Sequence, residues 1–168
     1  MRMILHKGEI LFRQGDEGKY LYRVHSGLFK VTRLHENGNM ILFNVFYAGE
    51  VVPHHSLISP KETHGTATAL VRSEVEPILA ADWYKTLAED SQKALEIALL
   101  LQEKVRFMQQ RIDHLTAGTP SERLQLLRHW MSTYTYGQPL TDLLTQEEIG
   151  QLIGLRRETV NRLLRASK

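Results

Sequence analysis

Residues 145–165 read TQEEIGQLIGLRRETVNRLLR, and this stretch predicts two short helices joined by a tight turn. Thr145 and Glu148 have the spacing of a capping box, so a helix is expected to begin there. Gly154 can adopt the positive φ that a sharp turn between helices requires, and a second helix follows at once. The apolar positions are spaced so that both helices share one small core: Ile149, Ile153, Leu155, Val160 and Leu163. The pattern is that of a helix-turn-helix, whose second helix enters the major groove of DNA.

Positive charge is concentrated on this second helix. The whole chain carries 21 basic and 19 acidic residues, a net charge of +2, whereas residues 155–168 carry five basic residues and one acidic residue, a local net charge of +4. The guanidinium groups of Arg157 and Arg162 can each form a two-pronged hydrogen bond with guanine, and Glu158 can accept a hydrogen bond from cytosine. A basic helix face alone is often only a solvated face, but the turn glycine and the capping box favour double-stranded DNA as the partner. The remaining basic residues of the segment are Arg156, Arg165 and Lys168.

The amino-terminal region predicts antiparallel β-structure. Aromatic and β-branched residues alternate there between glycines that lie 12, 11 and 11 residues apart: Gly15, Gly27, Gly38 and Gly49. The pairs Ser26-Gly27 and Asn37-Gly38 are hairpin signals. Many short strands protect their edges by closing into a barrel or a double-layered jelly roll. We therefore expect an antiparallel β-roll over residues 4–80 and an α+β fold for the chain.

Residues 82–117 contain no glycine or proline, and their apolar residues recur with the period of one long helix. An a/d seam runs along this helix, and it predicts a parallel homodimer. The seam residues proposed for the dimer interface are Ala98, Leu101, Val105, Met108, Ile112 and Leu115. A second stripe, Ile97, Leu100 and Phe107, is expected to pack on the β-roll. The alternative is that the helix buries both stripes within its own domain.

A boundary follows this helix. Thr119 suits the N-cap of a new helix, Pro120 suits its first position, and Glu122 completes a capping box. The chain is therefore divided into a β-roll at 1–81, a dimerisation helix at 82–117 and a helix-turn-helix domain at 118–168.

Composition excludes several function classes. The chain has no cysteine, so it cannot form a disulfide framework, a thiolate zinc site, a cysteine nucleophile or a cysteine-ligated iron–sulfur cluster. Its apolar runs are too short to span a membrane, and its first residues lack the apolar core of a secretory signal. We expect a cytoplasmic protein with no membrane partner. No Ser/His/Asp or paired-carboxylate arrangement indicates catalysis, so we expect that it is not an enzyme.

The helix-turn-helix resembles the recognition motif of the CRP/FNR superfamily of bacterial transcription regulators. The resemblance rests on the Glu-Ile-Gly-Gln-Leu-Ile-Gly sequence at 148–154 and on the Arg-Glu-Thr-Val-Asn-Arg sequence at 157–162. The amino-terminal region resembles the effector-binding β-roll of that family at Gly15-Asp16, at Tyr20 and at the Ala-Gly-Glu sequence at 48–50. The long helix resembles its dimerisation helix. The order of the pieces also agrees, so the resemblance covers nearly the whole chain.

This resemblance implies particular roles in DNA binding. The base-reading residues would be Arg157, Glu158 and Arg162, with a preference for TGTGA-like half-sites in an inverted repeat. DNA phosphates would be contacted by Thr145, Gln146, Arg156 and Arg165. RNA polymerase is implied as a further partner. Family members usually continue into a β-hairpin wing, which we expect this sequence to lack.

The effector pocket departs from the pattern of the cyclic-nucleotide-binding members. Those members hold the ribose with a Gly-Glu pair and the cyclic phosphate with an Arg-Ser pair, and the corresponding places here read Pro53-His54 and His64-Gly65. A neutral histidine lacks the fixed charge and the two-pronged donor of arginine. We therefore predict that cyclic AMP is not the ligand and that the protein needs no cofactor.

The histidines of this region, His54, His55 and His64, also raise the question of a metal. If residues 53–56 are extended, His54 and His55 point to opposite faces and cannot bind one ion together. We therefore predict no metal site. His55 does occupy the place of the haem-ligating histidine in the CO-sensing members of the superfamily. A haem- or metal-based sensor that uses His55 is the alternative function.

Overall fold

The computed structural model describes residues 1–135 and 137–166, and it confirms the α+β fold. The amino-terminal part is a β-roll of two antiparallel four-stranded sheets. The strands are β1 (Met3–Leu5), β2 (Ile10–Phe12), β3 (Tyr20–Ser26), β4 (Leu28–Leu34), β5 (Met40–Tyr47), β6 (Val51–Val52), β7 (Thr66–Ala69) and β8 (Ser73–Leu79). One sheet has the order β1, β8, β3, β6 and the other has the order β2, β7, β4, β5. A 3-10 turn at His54–Ser56 follows β6.

The two sheets enclose an apolar core. Inward residues from both sheets form it, among them Val24, Phe29 and Val75, which are at most 1% exposed. The hairpin signal at Asn37-Gly38 is confirmed, because β4 and β5 pair directly across it. The signal at Ser26-Gly27 is wrong: β3 and β4 belong to different sheets. Gly27, with a φ of +103° and in contact with Ser73, is the residue at which the chain passes from one sheet to the other.

The stretch 82–117, predicted as one helix, contains parts of two. Helix α1 (Ala80–Glu89) ends at Asp90, and α2 (Ser91–Ala117) begins after it. The break occurs because Asp90 is extended, and its carboxylate accepts a hydrogen bond from the Lys93 amide as the N-cap of α2. Ile97 is buried with Trp83 of α1 and Leu57 against the β-roll, as the second-stripe prediction requires.

Four further helices follow α2 in the described residues, and they do not form a separate core. They are α3 (Pro120–Ser132), α4 (Leu140–Leu143), α5 (Gln146–Ile153) and α6 (Arg157–Ala166). The capping box predicted at the start of α3 is present. Buried residues of these helices, such as Ile149 and Val160, belong to the same apolar cluster as Leu28 and Leu42 of the β-roll. No helix in the described part of the chain is long and apolar enough to cross a bilayer.

Candidate nucleic-acid interface and effector cavity

Helices α5 and α6 form the predicted helix-turn-helix. Thr145 Oγ1 accepts a hydrogen bond from the Glu148 amide at 3.2 Å, and Glu148 Oε2 accepts one from the Thr145 amide at 2.9 Å. This reciprocal capping box fixes the start of α5. Gly154 ends α5 with φ 65° and ψ 37°, the left-handed conformation that the turn requires. Local sequence therefore determines both ends of the first helix.

The two helices approach each other most closely at Gly150. Its carbonyl accepts a hydrogen bond from the Leu155 amide at 2.9 Å. A Cβ at this position would lie 2.3 Å from the Leu155 carbonyl oxygen, so only glycine fits. Ile149 and Val160, one from each helix, are both 0% exposed. The missing Cβ of Gly150 and the two buried side chains therefore let α5 and α6 pack closely.

The outer face of α6 carries the residues predicted to read DNA. Arg157, Glu158 and Arg162 are all exposed. Arg156 precedes the helix and Arg165 lies in its last turn, and both are also exposed. None of these side chains forms an ion pair with a described residue, so four guanidinium groups are available to an anionic partner. Lys168, the remaining basic residue of this segment, lies outside the described residues.

The amino end of α5 supplies the other predicted phosphate contacts. Thr145 is exposed and Gln146 is half-buried. Glu148 is bound to Lys30 of β4, which ties this end of α5 to the β-roll. Burial would raise the pKa of the Glu148 carboxyl, but the hydrogen bonds from Lys30 and from the Thr145 amide outweigh burial and lower it. Glu148 is therefore held as a carboxylate beside Lys30.

Helix α5 also docks on the exposed edge of β5. Gln151 Oε1 accepts a hydrogen bond from the Leu42 amide at 2.6 Å, and Gln151 Nε2 donates one to the Met40 carbonyl at 3.1 Å. Arg111 of α2 donates to the carbonyls of Phe43 at 3.2 Å and Leu152 at 3.5 Å. The β-roll, α2 and the helix-turn-helix are thus in direct contact.

The residues of the predicted dimer seam differ in their surroundings. Val105, Met108 and Ile112 are 55%, 55% and 59% exposed, and Ala98 is exposed as well. Two other seam residues, Leu101 and Leu115, are half-buried against apolar clusters of their own chain. Four of the six seam residues therefore form an exposed apolar stripe on α2, whereas Leu101 and Leu115 already pack within the chain.

A cavity of about 950 Å³ lies between the β-roll, α2 and α3. Pro53, His54, His55 and His64, the residues predicted for an effector pocket, all line it. The premise that residues 53–56 are extended is wrong, because His54–Ser56 form a 3-10 turn. This turn brings His54 and His55 to the same cavity wall. Even so, the described residues contain no group of three or more His, Asp or Glu side chains arranged to hold a metal ion.

The ring nitrogens of His55 and His64 take part in hydrogen bonds at the mouth of the cavity. His55 Nε2 donates to the Glu62 carbonyl at 3.1 Å, since a carbonyl can only accept. His64 Nε2 accepts a hydrogen bond from Arg33. Partial desolvation lowers the pKa of His55, the Glu62 carbonyl opposes this effect, and the nearby His64 and His54 add to it. His55 is therefore held as a neutral imidazole whose Nε2 carries a proton.

A buried charged cluster forms the inner wall of the cavity. The Glu50 carboxylate is bound by Lys104 of α2, and Lys104 also donates to Tyr47 Oη at 3.0 Å. Burial would raise the pKa of Glu50, but His54 at 3.5 Å and Lys104 outweigh it, so the pKa is lower than usual. Tyr47 stacks on Tyr134, which follows α3, with ring centroids 3.7 Å apart. The cluster therefore connects the cavity to the DNA-binding region.

Neither Glu50 nor Lys104 was predicted from the sequence to be a functional residue. Lys104 could have been identified, because it falls between Leu100 and Phe107 on the stripe predicted to face the β-roll. A lysine on an inward helix face requires an acidic partner there. The position of Glu50 depends on how the strands are arranged, so no local pattern identifies it as that partner.

Comparisons with known proteins agree with this architecture. A sequence profile described as "Cyclic nucleotide-binding domain" matches residues 2–90, and one described as "Bacterial regulatory proteins, crp family" matches residues 143–166. The cyclic AMP receptor protein of Thermus thermophilus is 28% identical over 170 residues, which cover 98% of this chain and 76% of that protein. The fumarate and nitrate reduction regulatory protein of Yersinia pestis is 30% identical over 169 residues, covering 95% and 66%.

A solved structure shares the fold as well. The structure of FixK2 from Bradyrhizobium japonicum superposes with a TM-score of 0.82 at 21% sequence identity, covering 99% of this chain and 83% of that one. At this level of identity the likeness concerns the fold. It extends over the β-roll, the long helix and the helix-turn-helix together.

Proposed function

This chain belongs to the CRP/FNR superfamily of bacterial transcription regulators, and from that premise we propose that it binds an inverted-repeat operator as a homodimer. In this proposal Arg157, Glu158 and Arg162 read bases of a TGTGA-like half-site. Thr145, Gln146, Arg156 and Arg165 contact phosphates. The DNA target places the protein in the cytoplasm, and RNA polymerase is its further partner.

The observation that carries this proposal is the exposed face of α6. Arg157 and Arg162 are five residues apart, about 7.5 Å along a helix axis, which is close to two base-pair steps. Both guanidinium groups lack an ion-pair partner among the described residues. The close contact at Gly150 and the buried Ile149 and Val160 pack α6 against α5. A face built in this way can place two arginine forks against base edges in one groove.

The dimer is supported by the exposed stripe of α2. This helix has 27 residues, about 40 Å of helix, and its middle seam residues are more than half exposed. A parallel pairing of two such helices buries the stripes against each other. It also sets the two recognition helices on opposite sides of a two-fold axis, as an inverted repeat of half-sites about 34 Å apart requires.

The base-reading role can be tested by comparing Arg157→Ala with Arg165→Ala. Affinity is measured by fluorescence anisotropy on a TGTGA inverted repeat and on a scrambled duplex, over a range of salt concentrations. Arg157→Ala should weaken specific binding by about 1–3 kcal/mol and relax one base position. Arg165→Ala should weaken binding to both duplexes equally and reduce the salt slope. If Arg157→Ala also weakens both duplexes equally, Arg157 contacts only phosphate and the base-reading assignment is wrong.

The dimer can be tested with a matched pair of variants on α2. Val105→Glu places a charge in the seam, whereas Leu99→Glu places one at a residue that is similarly exposed, 53%, but outside the a/d register. Sedimentation should show monomers for Val105→Glu and dimers for Leu99→Glu. Operator affinity should fall only in the first variant. Unchanged dimers in both would contradict the seam.

We also propose that the cavity holds neither cyclic AMP nor haem, although relatives carry cyclic AMP in their names. The described residues that line it include no arginine, and the Nε2 proton of His55 already bonds the Glu62 carbonyl. Isothermal titration with cyclic AMP should show no binding heat. Protein purified after haem supplementation should show no Soret band. A Soret band that His55→Ala abolishes would instead establish the haem alternative.

A further inference from the structure

The wall of the cavity is unusually aromatic for a site that would hold a nucleotide. Six aromatic side chains line it: Phe12, Phe43, Phe46, Tyr47, Phe107 and Trp130. Phe107 and Trp130 lie with ring centroids 5.4 Å apart, and Phe46 packs edge-on against His54 at 5.2 Å. The volume of about 950 Å³ lies at the upper end of the range for small-molecule pockets. Such walls and such a size suit a flat molecule of two or three rings.

The fixed charges of the lining cancel. Glu50 and Lys104 neutralise each other on the inner wall, and Lys61 and Glu62 are adjacent at the mouth. Lys104 is already bound to both Glu50 and Tyr47, so its ammonium group is not free to hold an anion. An anionic group at the inner wall would lose its water without gaining a free cation in exchange, which is unfavourable. The other lysine of the lining, Lys61, is exposed and stays hydrated.

One polar atom of the wall has no hydrogen-bond partner among the described residues. His54 Nε2 is buried, and its contact with the Glu50 carboxylate is long, at 3.5 Å. Because His54 also lines the cavity, this nitrogen could reach a bound ligand if the ring turned away from Glu50. A ligand with a single hydrogen-bonding group could then satisfy it, because an unpaired buried polar atom is costly and pairing it is favourable.

We infer that this cavity binds an uncharged, flat, largely aromatic molecule that carries one hydrogen-bonding group for His54. The ligand contacts Trp130 of α3 directly and borders Tyr47, which stacks on Tyr134. It therefore lies against the region that leads to the helix-turn-helix. The binding site stands on the cavity alone, whereas the role of the ligand as an effector rests on the proposed function.

Two fluorescent probes test this inference on the full chain. N-phenyl-naphthylamine is uncharged, and anilinonaphthalene sulfonate has the same aromatic framework with one added negative charge. The uncharged probe should bind saturably, one per chain, and about tenfold or more tighter than the anionic probe, since the inner wall of the cavity offers no free cation. Cyclic AMP should not displace it. Equal affinity for the two probes, non-saturating binding or displacement by cyclic AMP would each overturn the inference.

A pair of substitutions locates the probe. Phe43→Lys places a cation in the cavity wall and should reverse the preference in favour of the anionic probe. Leu34→Lys adds the same charge at a residue that is 52% exposed and outside the cavity, and it should leave both affinities unchanged. Circular dichroism verifies that each variant is folded. If Phe43→Lys does not fold, His54→Phe provides the second test, and its affinity for the uncharged probe should fall. Unaltered probe binding in the folded variants would place the probe elsewhere and overturn the inference.

Operator binding is measured separately, so the two proposals can fail independently. A protein that binds the uncharged probe but no operator contradicts the proposed function and leaves the cavity assignment intact. A protein that binds operator but shows no preference between the probes contradicts only the cavity assignment.

Discussion

Replacing Lys104 by methionine should destabilise the protein strongly, because it leaves the Glu50 carboxylate buried without its cation. The Glu50 side chain is only 6% exposed, and its remaining neighbours are the Tyr47 amide at 3.1 Å and His54 at 3.5 Å. Removing one partner of a buried ion pair costs roughly 3–5 kcal/mol. Since Lys104 is itself 24% exposed and one amide donor remains, we expect a loss of about 3 kcal/mol at neutral pH.

The loss should depend on pH, with a sign that the structure fixes. In the wild type the pKa of Glu50 is below its usual value, so the pair stabilises the fold above that value and this stability is lost only as the pH falls through the lowered pKa. Without Lys104, only His54 and the Tyr47 amide oppose the effect of burial, so the pKa of Glu50 should rise above its wild-type value. The destabilisation should therefore be complete at neutral pH and shrink as the pH falls through the raised pKa.

Urea unfolding at neutral and at mildly acidic pH measures this effect, at one protein concentration because the stability of the proposed dimer would depend on it. The control is Lys93→Met, which breaks a surface pair with Glu96 whose side chains are 37% and 52% exposed, and it should cost less than about 1 kcal/mol. Adding Glu50→Gln to Lys104→Met removes the stranded charge and should restore most of the stability. The reasoning is refuted if Lys104→Met costs no more than Lys93→Met, or if the double variant is as unstable as the single one.

Three single substitutions, each of which changes one contact, should have measurable effects. Gly150→Ala places a Cβ 2.3 Å from the Leu155 carbonyl oxygen and should lower the stability by about 1–3 kcal/mol in thermal unfolding. It should also weaken operator binding. An unchanged melting curve would contradict the close approach. Gln151→Ala removes the acceptor of the Leu42 amide, so hydrogen exchange at that amide should accelerate while amides between β3 and β8 keep their rates. Asp90→Ala removes the N-cap of α2 and should cost about 1 kcal/mol in urea unfolding, most of which Asp90→Ser should recover.

The helix-turn-helix could be predicted from sequence because its determinants are local. The capping box of Thr145 and Glu148, the turn at Gly154 and the close approach at Gly150 involve residues within one short stretch of chain. Each feature also has a narrow chemical requirement, such as a positive φ or the absence of a Cβ. For the same reason the capping box at Thr119 was predictable, and both are present in the structure.

Most of the wrong predictions concern regions whose structure depends on contacts between residues far apart in the chain. Ser26-Gly27 has the local chemistry of a hairpin, but β8 pairs with β3 and the chain crosses to the other sheet. One wrong prediction has a local cause instead: the helical period over 82–117 continues through Asp90 and hides the N-cap that this residue forms with the Lys93 amide. The cavity combines residues from strands, turn, α2 and α3 that are far apart in the chain. The arrangement of the strands cannot be read from a single sequence, so the sequence does not show that Glu50 lies opposite Lys104.

The contacts between the β-roll and the helix-turn-helix set the conditions for any control of DNA binding. Turning α5 away from β5 would break both hydrogen bonds of Gln151 and the pair between Lys30 and Glu148. It would also expose apolar surface, because Leu42 and Ile149 share one buried cluster. A ligand shifts such an equilibrium only by the difference between its affinities for the two states. A molecule in the cavity would contact Trp130 of α3, and reorienting α3 would remove this contact. Its affinity would therefore differ between the two states. Because the cavity lies between three elements rather than inside the β-roll alone, the proposed ligand would favour one orientation of α3 and would thereby bias the proposed DNA binding.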